Sequence, residues 1–376
     1  MRILALNWRC FRHPQAGGGE TNLFEQAERW AAQGHRVTVL CGDPGRQAAP
    51  EVNEQYRGVE VRRMGGRFGV YARVAAYLLR HGQDHDAVLD VSNGVPFFSP
   101  LFTASPSVLL VHHVHGAQWR SEFPAPVAVF GQFLEQRVVP ALYRRRRVIA
   151  VSPTTEEGLL KLGYRAEQLQ VIYNGVDLPA SVPAQAPDAQ RVLYLGRVKR
   201  YKRVDRLVRA VASLRASLPD IHLDIAGDGD ARAEIEALVA ELGMQRHVTV
   251  HGFVDDAQKA ALLAGASVFA TPSMHEGWGI SVIEANAHGC PAVAYDVPGL
   301  RVAIRHQQTG LLAQDDDGFR DAIGTLLRDA PLRARYAAAA REWASRFDWD
   351  VSAASTLEVL DRARVAARGL SFSSEA

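Results

Sequence analysis

Two hydrophobic periods alternate along the chain. Short, nearly unbroken apolar runs are separated by stretches in which apolar residues recur every three or four positions. The run RILALN at 2–7 predicts a buried strand. After the glycine cluster Gly17-Gly18-Gly19, a segment from Glu20 to Gly34 places Leu23, Phe24, Ala27, Trp30 and Ala31 on one helical face, and Gly34 is suited to end it. VTVLC at 37–41 reads as a second strand. Strand, helix and strand in this order form a βαβ unit, which implies a parallel sheet covered on both faces.

The alternation predicts further strands at VEVRRM (59–64), AVLDV (87–91), SVLLVHH (107–113), RVIAVS (147–152) and QVIYN (170–174). Residues 176–190 hold three prolines and four alanines without periodicity, the composition of an interdomain linker. A second set follows: strands at VLYLG (192–196), HLDIAG (222–227), VTVHG (248–252), SVFATP (267–272) and PAVAY (291–295), and a helix from Arg203 to Leu214. A last amphipathic helix is expected near Val351 to Ala367. The small polar tail at 369–376 is expected to fray. The pattern therefore predicts an α/β chain of two doubly wound domains facing one another. The first spans 1–178, joined by a returning helix at about 350–368, and the second spans 188–348. Ligands of such sheets bind beyond the carboxyl ends of the strands, which makes an interdomain cleft the expected site.

Composition narrows the classes. Of 376 residues, 47% are hydrophobic and 22% charged, which fits large cores and excludes disorder as the main state. The net charge of +2 lacks the basic excess of a duplex-binding protein, so no nucleic-acid partner is expected. Three cysteines do not make a disulfide framework and suit a reducing cytosol. No eighteen-residue apolar run occurs, and MRILALNW does not read as a secretory signal.

Candidate chemistry gathers just after strands. In His275-Glu276-Gly277-Trp278-Gly279-Ile280-Ser281-Val282-Ile283-Glu284, the two glycines predict a tight loop opening a helix, with free backbone N–H groups able to meet phosphate or sugar oxygens. Glu276 and Glu284 can accept hydrogen bonds from neighbouring hydroxyls, as a sugar or ribose presents. Gly196-Arg197-Val198-Lys199-Arg200-Tyr201-Lys202-Arg203 also follows a strand. Arg197 and Lys202 can converge on one diphosphate, and five basic residues in 197–203 are more than one diphosphate takes, so some belong to the solvated surface. Gly17-Gly18-Gly19-Glu20 lets a ligand approach a helix N-terminus, although it is neither a G-x-G-x-x-G nor a P-loop pattern. His112, His113 and His115 crowd a strand end, where they suit hydrogen bonding beside a substrate, core packing or a metal, though no third ligand is evident. Asn93-Gly94 suits either the cleft or a plain turn. Asp84-His85-Asp86 and Asp228-Gly229-Asp230 read as loops rather than Mg²⁺ sites, and Arg144 to Arg147 as a charged helix end with anionic lipid as the alternative.

Together these motifs resemble the retaining glycosyltransferases of family 4, which have the two-domain GT-B fold. The resemblance covers nearly the whole chain. It is carried by E-G-W-G-I-S-V-I-E-A from Glu276, by Gly196, Arg197 and Lys202, by Tyr173-Asn174-Gly175-Val176-Asp177, and by Gly299 with Thr309-Gly310-Leu311. Trp278 stands where phenylalanine is usual and Arg203 where glycine is usual. The resemblance implies that Arg197 and Lys202 neutralise a donor diphosphate and that Glu284 holds the ribose. It further implies that Glu276, with the backbone of Gly277, Trp278, Gly279 and Ile280, holds the transferred sugar. Gly17, Gly18, Gly19 and Gly196 approach the donor, and His112 or His113 contacts the sugar or the acceptor hydroxyl. It implies a nucleotide-diphosphate sugar, a UDP-sugar by family weight, with a hydroxyl acceptor, no cofactor and no metal. It places the protein in the cytoplasm, with peripheral contact at the inner face of the membrane, and leaves the oligomeric state open. A GT-B-like nucleotide-sugar epimerase and a non-catalytic sugar-nucleotide-binding protein are the competing readings.

Overall fold

The computed structural model describes residues 1–13, 16–42, 52–66, 69–116, 118–179 and 190–372. The chain divides into two compact units, Met1–Gly175 with Trp349–Ala376, and Val176–Asp348.

The first unit is built on an eight-stranded sheet. Its strands are β1 (Arg2–Asn7), β2 (Arg36–Cys41), β3 (Val52–Tyr56), β4 (Val59–Arg63), β5 (Ala87–Ser92), β6 (Ser107–Val111), β7 (Val148–Ala150) and β8 (Leu169–Val171). Their order is β3-β4-β2-β1-β5-β6-β7-β8, parallel except for β3 against β4. Side chains alternate across the pleat, so each apolar run feeds two cores. Ile3 and Ala5 pack with Leu23, Phe24 and Trp30 of the Gly18–Ala32 helix and with Ala353, Val359 and Leu360 of the Trp349–Phe372 helix. Leu4 and Leu6 face the other way, onto Val70, Val74 and Leu78 of the Gly69–His81 helix. Burying each such side chain contributes about 1.5–3 kcal/mol.

The Trp349–Phe372 helix is tied to this unit by polar contacts as well. The Trp30 indole N–H donates to the Ala353 carbonyl at 2.8 Å, and Arg29 pairs with Asp350 at 2.6 Å. At its start, a Cβ on Gly175 would lie 2.3 Å from the Trp349 nitrogen, so only glycine lets the two backbones pass. The neighbouring Asn174 accepts a 2.6 Å hydrogen bond from buried Asn22.

The second unit holds a six-stranded, all-parallel sheet of β9 (Arg191–Leu195), β10 (His222–Ala226), β11 (Val248–Gly252), β12 (Val268–Thr271), β13 (Ala292–Tyr295) and β14 (Gly310–Ala313), in the order β11-β10-β9-β12-β13-β14. That is the doubly wound order of nucleotide-binding sheets, with its switch point between β9 and β12. Val192 and Tyr194 of β9 pack against Leu207, Val208 and Val211 of the Val204–Leu214 helix and against Phe319 and Ile323.

Two strands depart from the sequence expectation. β3 and β14 were not anticipated. The VNEQY segment of β3 has no apolar run and is held by antiparallel pairing to β4 across an Arg57-Gly58 turn, with φ of 47° and 85°. β14 contributes only GLLA at the sheet edge. The final helix starts at Trp349 and continues through 369–372, which were expected to fray. Residues 373–376 and most of the expected linker, 180–189, lie outside the described residues.

Candidate functional site

In the second unit, the loops after β9 and β12 emerge side by side at the switch point, joined by a 3.2 Å hydrogen bond from the Met274 N–H to the Tyr201 carbonyl. The β9 loop turns at Gly196, held from below by the β10 end. A Cβ on Gly227 would stand 1.9 Å from the Gly196 carbonyl oxygen, so the two backbones touch directly. The Tyr194 hydroxyl donates to the Arg197 carbonyl at 2.8 Å, and Val198 is fully buried, which fixes the loop from within. Arg197 and Lys202 remain on the outer side. The Arg197 guanidinium donates to the Tyr201 hydroxyl at 3.1 Å. The Lys202 ammonium bonds Glu276 at 2.5 Å, with only 13% and 17% of the two side chains exposed.

The other basic residues of the run are taken up by neighbouring acids. Lys199 pairs with Asp230, Arg200 with Glu234 and Arg203 with Asp205. Arg203 sits at φ 52°, ψ 36°, in the left-handed region at the start of the Val204–Leu214 helix. A side chain there costs about 1–2 kcal/mol relative to a right-handed conformation, which accounts for glycine at the equivalent family position. Asp228 and Asp230 of the D-x-D turn are met by Arg232 and Lys199.

The β12 loop ends at Gly279, also left-handed at φ 92°, and opens the Ile280–Ala287 helix. Its position is pinned from a third side. A Cβ on Gly299, in the Pro298–Ala303 helix, would fall 2.0 Å from the Glu276 carbonyl oxygen. Glu284 lies on the Ile280 helix and accepts from the Lys259 ammonium at 3.2 Å. The Glu284 charge raises the Lys259 pKa against the opposing effect of burial, so Lys259 stays cationic. Each glutamate thus has its own lysine. Lys259 escaped the sequence reading because nothing in AQKAALLAG marks it, and only the fold carries it to Glu284. The Trp278 indole is 3% exposed and packs edge-on against Phe347 at 4.9 Å, so the ring belongs to the core and the backbone is what the residue offers the loop.

The first unit presents a separate constellation, again at its switch point, between β1 and β5. Asn93, just after β5, donates to the Asn7 side chain at 3.0 Å. The glycine turn meets them there. A Cβ on Gly19 would lie 3.2 Å from both the Asn93 Oδ1 and the His112 Nε2. At the Gly18–Ala32 helix start, the Gly17 N–H is taken by the Glu20 carboxylate at 2.8 Å. Of the two histidines left open by the sequence, His112 is the one brought to Gly19, whereas His113 stacks on His115 at 4.0 Å. The His112 Nε2 is buried without a hydrogen-bond partner among the described residues. Below this loop, buried Glu135 receives the backbone N–H groups of His115 and Gly116 at 2.7 and 2.8 Å and the Trp119 indole N–H at 3.2 Å. Burial nevertheless pushes its carboxyl pKa up.

Burial, aided by the His113 charge, pushes the His112 pKa down to about 3. Above the ordinary value of 6.5 both folded and unfolded chains hold it neutral. Below that value the unfolded chain takes up the proton and the folded one does not, so stability falls with pH. We expect the first unit to lose roughly 2–3 kcal/mol from this group between pH 7 and pH 4. Denaturant titrations at both pH values should show the loss, and His112→Gln should flatten it.

Comparison with known proteins adds to this geometry. Residues 16–179 match the model of Glycosyltransferase Family 4, and residues 181–343 match that of Glycosyl transferases group 1. A D-inositol 3-phosphate glycosyltransferase of Jonesia denitrificans is 33% identical over 54% of this chain and 53% of its own length. One of Nocardioides sp. is 29% identical over 94% of this chain and 87% of its own. The chain thus spans about half the length of the Jonesia relative. Among solved structures, sucrose-phosphate synthase from Thermosynechococcus elongatus superposes with a TM-score of 0.81 at 23% identity, covering 97% of this chain and 100% of that one. HepE of Anabaena, solved with UDP and glucose, gives 0.77 at 22%, covering 96% and 100%. These likenesses establish the GT-B fold.

Proposed function

The chain belongs to glycosyltransferase family 4, and on that premise we propose that it moves a hexose-type sugar from a nucleotide diphosphate to an acceptor hydroxyl with retention of anomeric configuration. One observation carries the reading. At the switch point of a nucleotide-type sheet, Lys202 of the β9 loop bonds Glu276 of the β12 loop, with Arg197 on the first of these loops and Glu284 on the helix that the second one opens. A sensor of nucleotide sugars has no use for so much positive charge beneath a leaving group.

In this reading Arg197, Lys202 and the free N–H groups opening the Ile280–Ala287 helix take up the diphosphate, where negative charge grows as the glycosidic bond breaks. Glu284, braced by Lys259, accepts from the ribose hydroxyls. Glu276 and the backbone from Gly277 to Ile280 orient the sugar. The acceptor oxygen bonds to the anomeric carbon on the face the diphosphate leaves, and its proton passes to the departing phosphate oxygen. No carboxylate base is required. His112, neutral and with a free ring nitrogen, accepts from a sugar or acceptor hydroxyl beside Gly19. UDP is supported as the carrier by HepE, which has been solved with UDP-glucose. The acceptor is a glycan, a lipid-linked glycan or a natural product, met on the cytoplasmic side at the membrane periphery.

The test is incubation with a panel of nucleotide sugars, with and without hydroxyl acceptors, in excess chelator, with the product linkage read by NMR. Acceptor-dependent nucleotide release with a retained anomeric centre is expected. Sugar isomerised or hydrolysed without acceptor would reassign the protein as an epimerase. Binding without turnover would make it a sensor, and inverted product would end the retention mechanism.

A further inference from the structure

Cys10 and Cys41 lie together at the carboxyl end of the first unit's sheet. Cys41 closes β2, where its register partners are Asn7 of β1 and Arg63 of β4. Register partners on parallel strands point to the same face, so Arg63 stands beside Cys41. Cys10 follows just beyond the end of β1. The chain that carries it stays against the end of β2. The Gly42 N–H donates to the Trp8 carbonyl at 3.2 Å, and a Cβ on Gly42 would lie 2.6 Å from that oxygen. Both cysteines are 0% exposed and share one cluster with Leu23 and Phe24 of the Gly18–Ala32 helix. The Cys41 thiol donates to the Cys10 sulfur, and so does the Arg63 guanidinium.

Charge separates this pair from ordinary buried thiols, which are inert. Glu54 of β3 is bound by both Arg12 and Arg63, so one carboxylate faces two guanidinium groups. A Cys10 thiolate supplies the second negative charge. The hydrogen bond from Cys41, helped by the Arg12 N–H and by Arg63, pulls the Cys10 pKa down to about 6 against the effect of burial. Cys290 is the contrast. It is 1% exposed in the second unit, and burial pushes its thiol pKa up. The transfer reaction described above uses none of these sulfurs.

We propose that Cys10 and Cys41 form an oxidisable dithiol, which hydrogen peroxide converts to a disulfide joining the exit of β1 to the end of β2. The Cys10 thiolate attacks one peroxide oxygen. The O–O bond breaks, hydroxide leaves and Cys10 becomes the sulfenic acid. The Cys41 sulfur then attacks the Cys10 sulfur. The S–O bond breaks, the Cys41 proton departs with the hydroxyl as water, and the S–S bond forms. The two sulfurs together lose two electrons, and the peroxide oxygens gain them. Peroxide is little larger than water. Cys10 begins a surface turn closed by the His13 N–H on its carbonyl at 3.0 Å, and opening of that turn admits the oxidant. A bond about 2.0 Å long in place of a sulfur contact draws the turn toward β2 and takes the thiolate from Arg63. The same stretch of chain leads to Gly19, which meets Asn93 and His112. Resting on the functional reading above, transfer therefore slows while the disulfide holds.

The experiment oxidises the reduced whole chain with hydrogen peroxide, alkylates it in denaturant and maps its peptides by mass spectrometry under non-reducing conditions. Titratable thiols should fall from three to one, with Cys290 unmodified. A cross-linked Cys10–Cys41 peptide should appear, lighter by two hydrogens than its halves. Cys41→Ser should stop at the sulfenic acid, trapped on Cys10 by dimedone, and Cys10→Ser should leave Cys41 a thiol. Transfer by the native sequence should fall about tenfold on oxidation and recover with dithiothreitol, as displacement of a positioning loop predicts. Cys10→Ser should hold its rate through the same treatment. Absence of the cross-link, earlier oxidation of Cys290, or reaction only after unfolding would overturn the dithiol. A cross-link that leaves the transfer rate unchanged would overturn its control of the reaction. The peptide map does not depend on catalysis, so a cross-link in a chain that transfers no sugar would sink the proposed function and leave the dithiol standing.

Discussion

Replacing Lys202 or Arg197 by alanine should lower turnover about 10²–10³-fold, the loss expected when one preorganised electrostatic contact to a developing charge is removed. The fold should survive, because neither side chain packs in the core; Val198 between them does that work. The Lys202 substitution has a second effect. It leaves Glu276, mostly shielded from solvent, without its ammonium partner. The double substitution Lys202→Ala with Glu276→Gln should therefore be less destabilised than Lys202→Ala alone while remaining as inactive. Steady-state kinetics with thermal melts of all the variants provides the check. Near-normal turnover in either single variant removes the leaving-group role assigned to it.

Gly299→Ala should be among the most damaging single added methyl groups in the second unit. The added carbon would meet the Glu276 carbonyl oxygen at 2.0 Å, a backbone atom with nowhere to swing. The chain must relieve this by moving the Glu276 loop, the Pro298–Ala303 helix, or both. A loss of about 2–4 kcal/mol is expected, as for other changes that force backbone apart. Displacing Glu276 by even part of an ångström should also cost turnover, by about 10²-fold for a full ångström. Thermal unfolding and kcat/KM should fall together. If stability falls and kcat/KM does not, Glu276 is not what the glycine positions.

How far such effects could be anticipated from the sequence differs by residue. The strands of the sheet interiors were legible because RILALN, VTVLC and HLDIAG are buried on both faces and so carry apolar residues on both, with few polar ones between. β3 was not, since its polar segment is a strand only by virtue of the neighbour it pairs with. The loop residues Arg197, Lys202, Glu276 and Glu284 stood out because glycines bracket them directly after strands. Lys259 and Glu135 did not. One sits in an unremarkable helix and the other reads as an ordinary solvated acid, and both acquire their partners only when distant segments meet.

The return of the last helix has a consequence for how the molecule is made. The second unit is one unbroken stretch, entered after Gly175 and left at Asp348, so it is complete as soon as that stretch has emerged from the ribosome. The first unit begins earlier and finishes later. Its Trp30 waits for the carbonyl of Ala353, more than three hundred residues downstream. During synthesis the leading half of the polypeptide must remain unfinished, its tryptophan side uncovered, while the inserted half matures ahead of it. The nascent chain is thus most in need of a chaperone at its oldest segment rather than its newest.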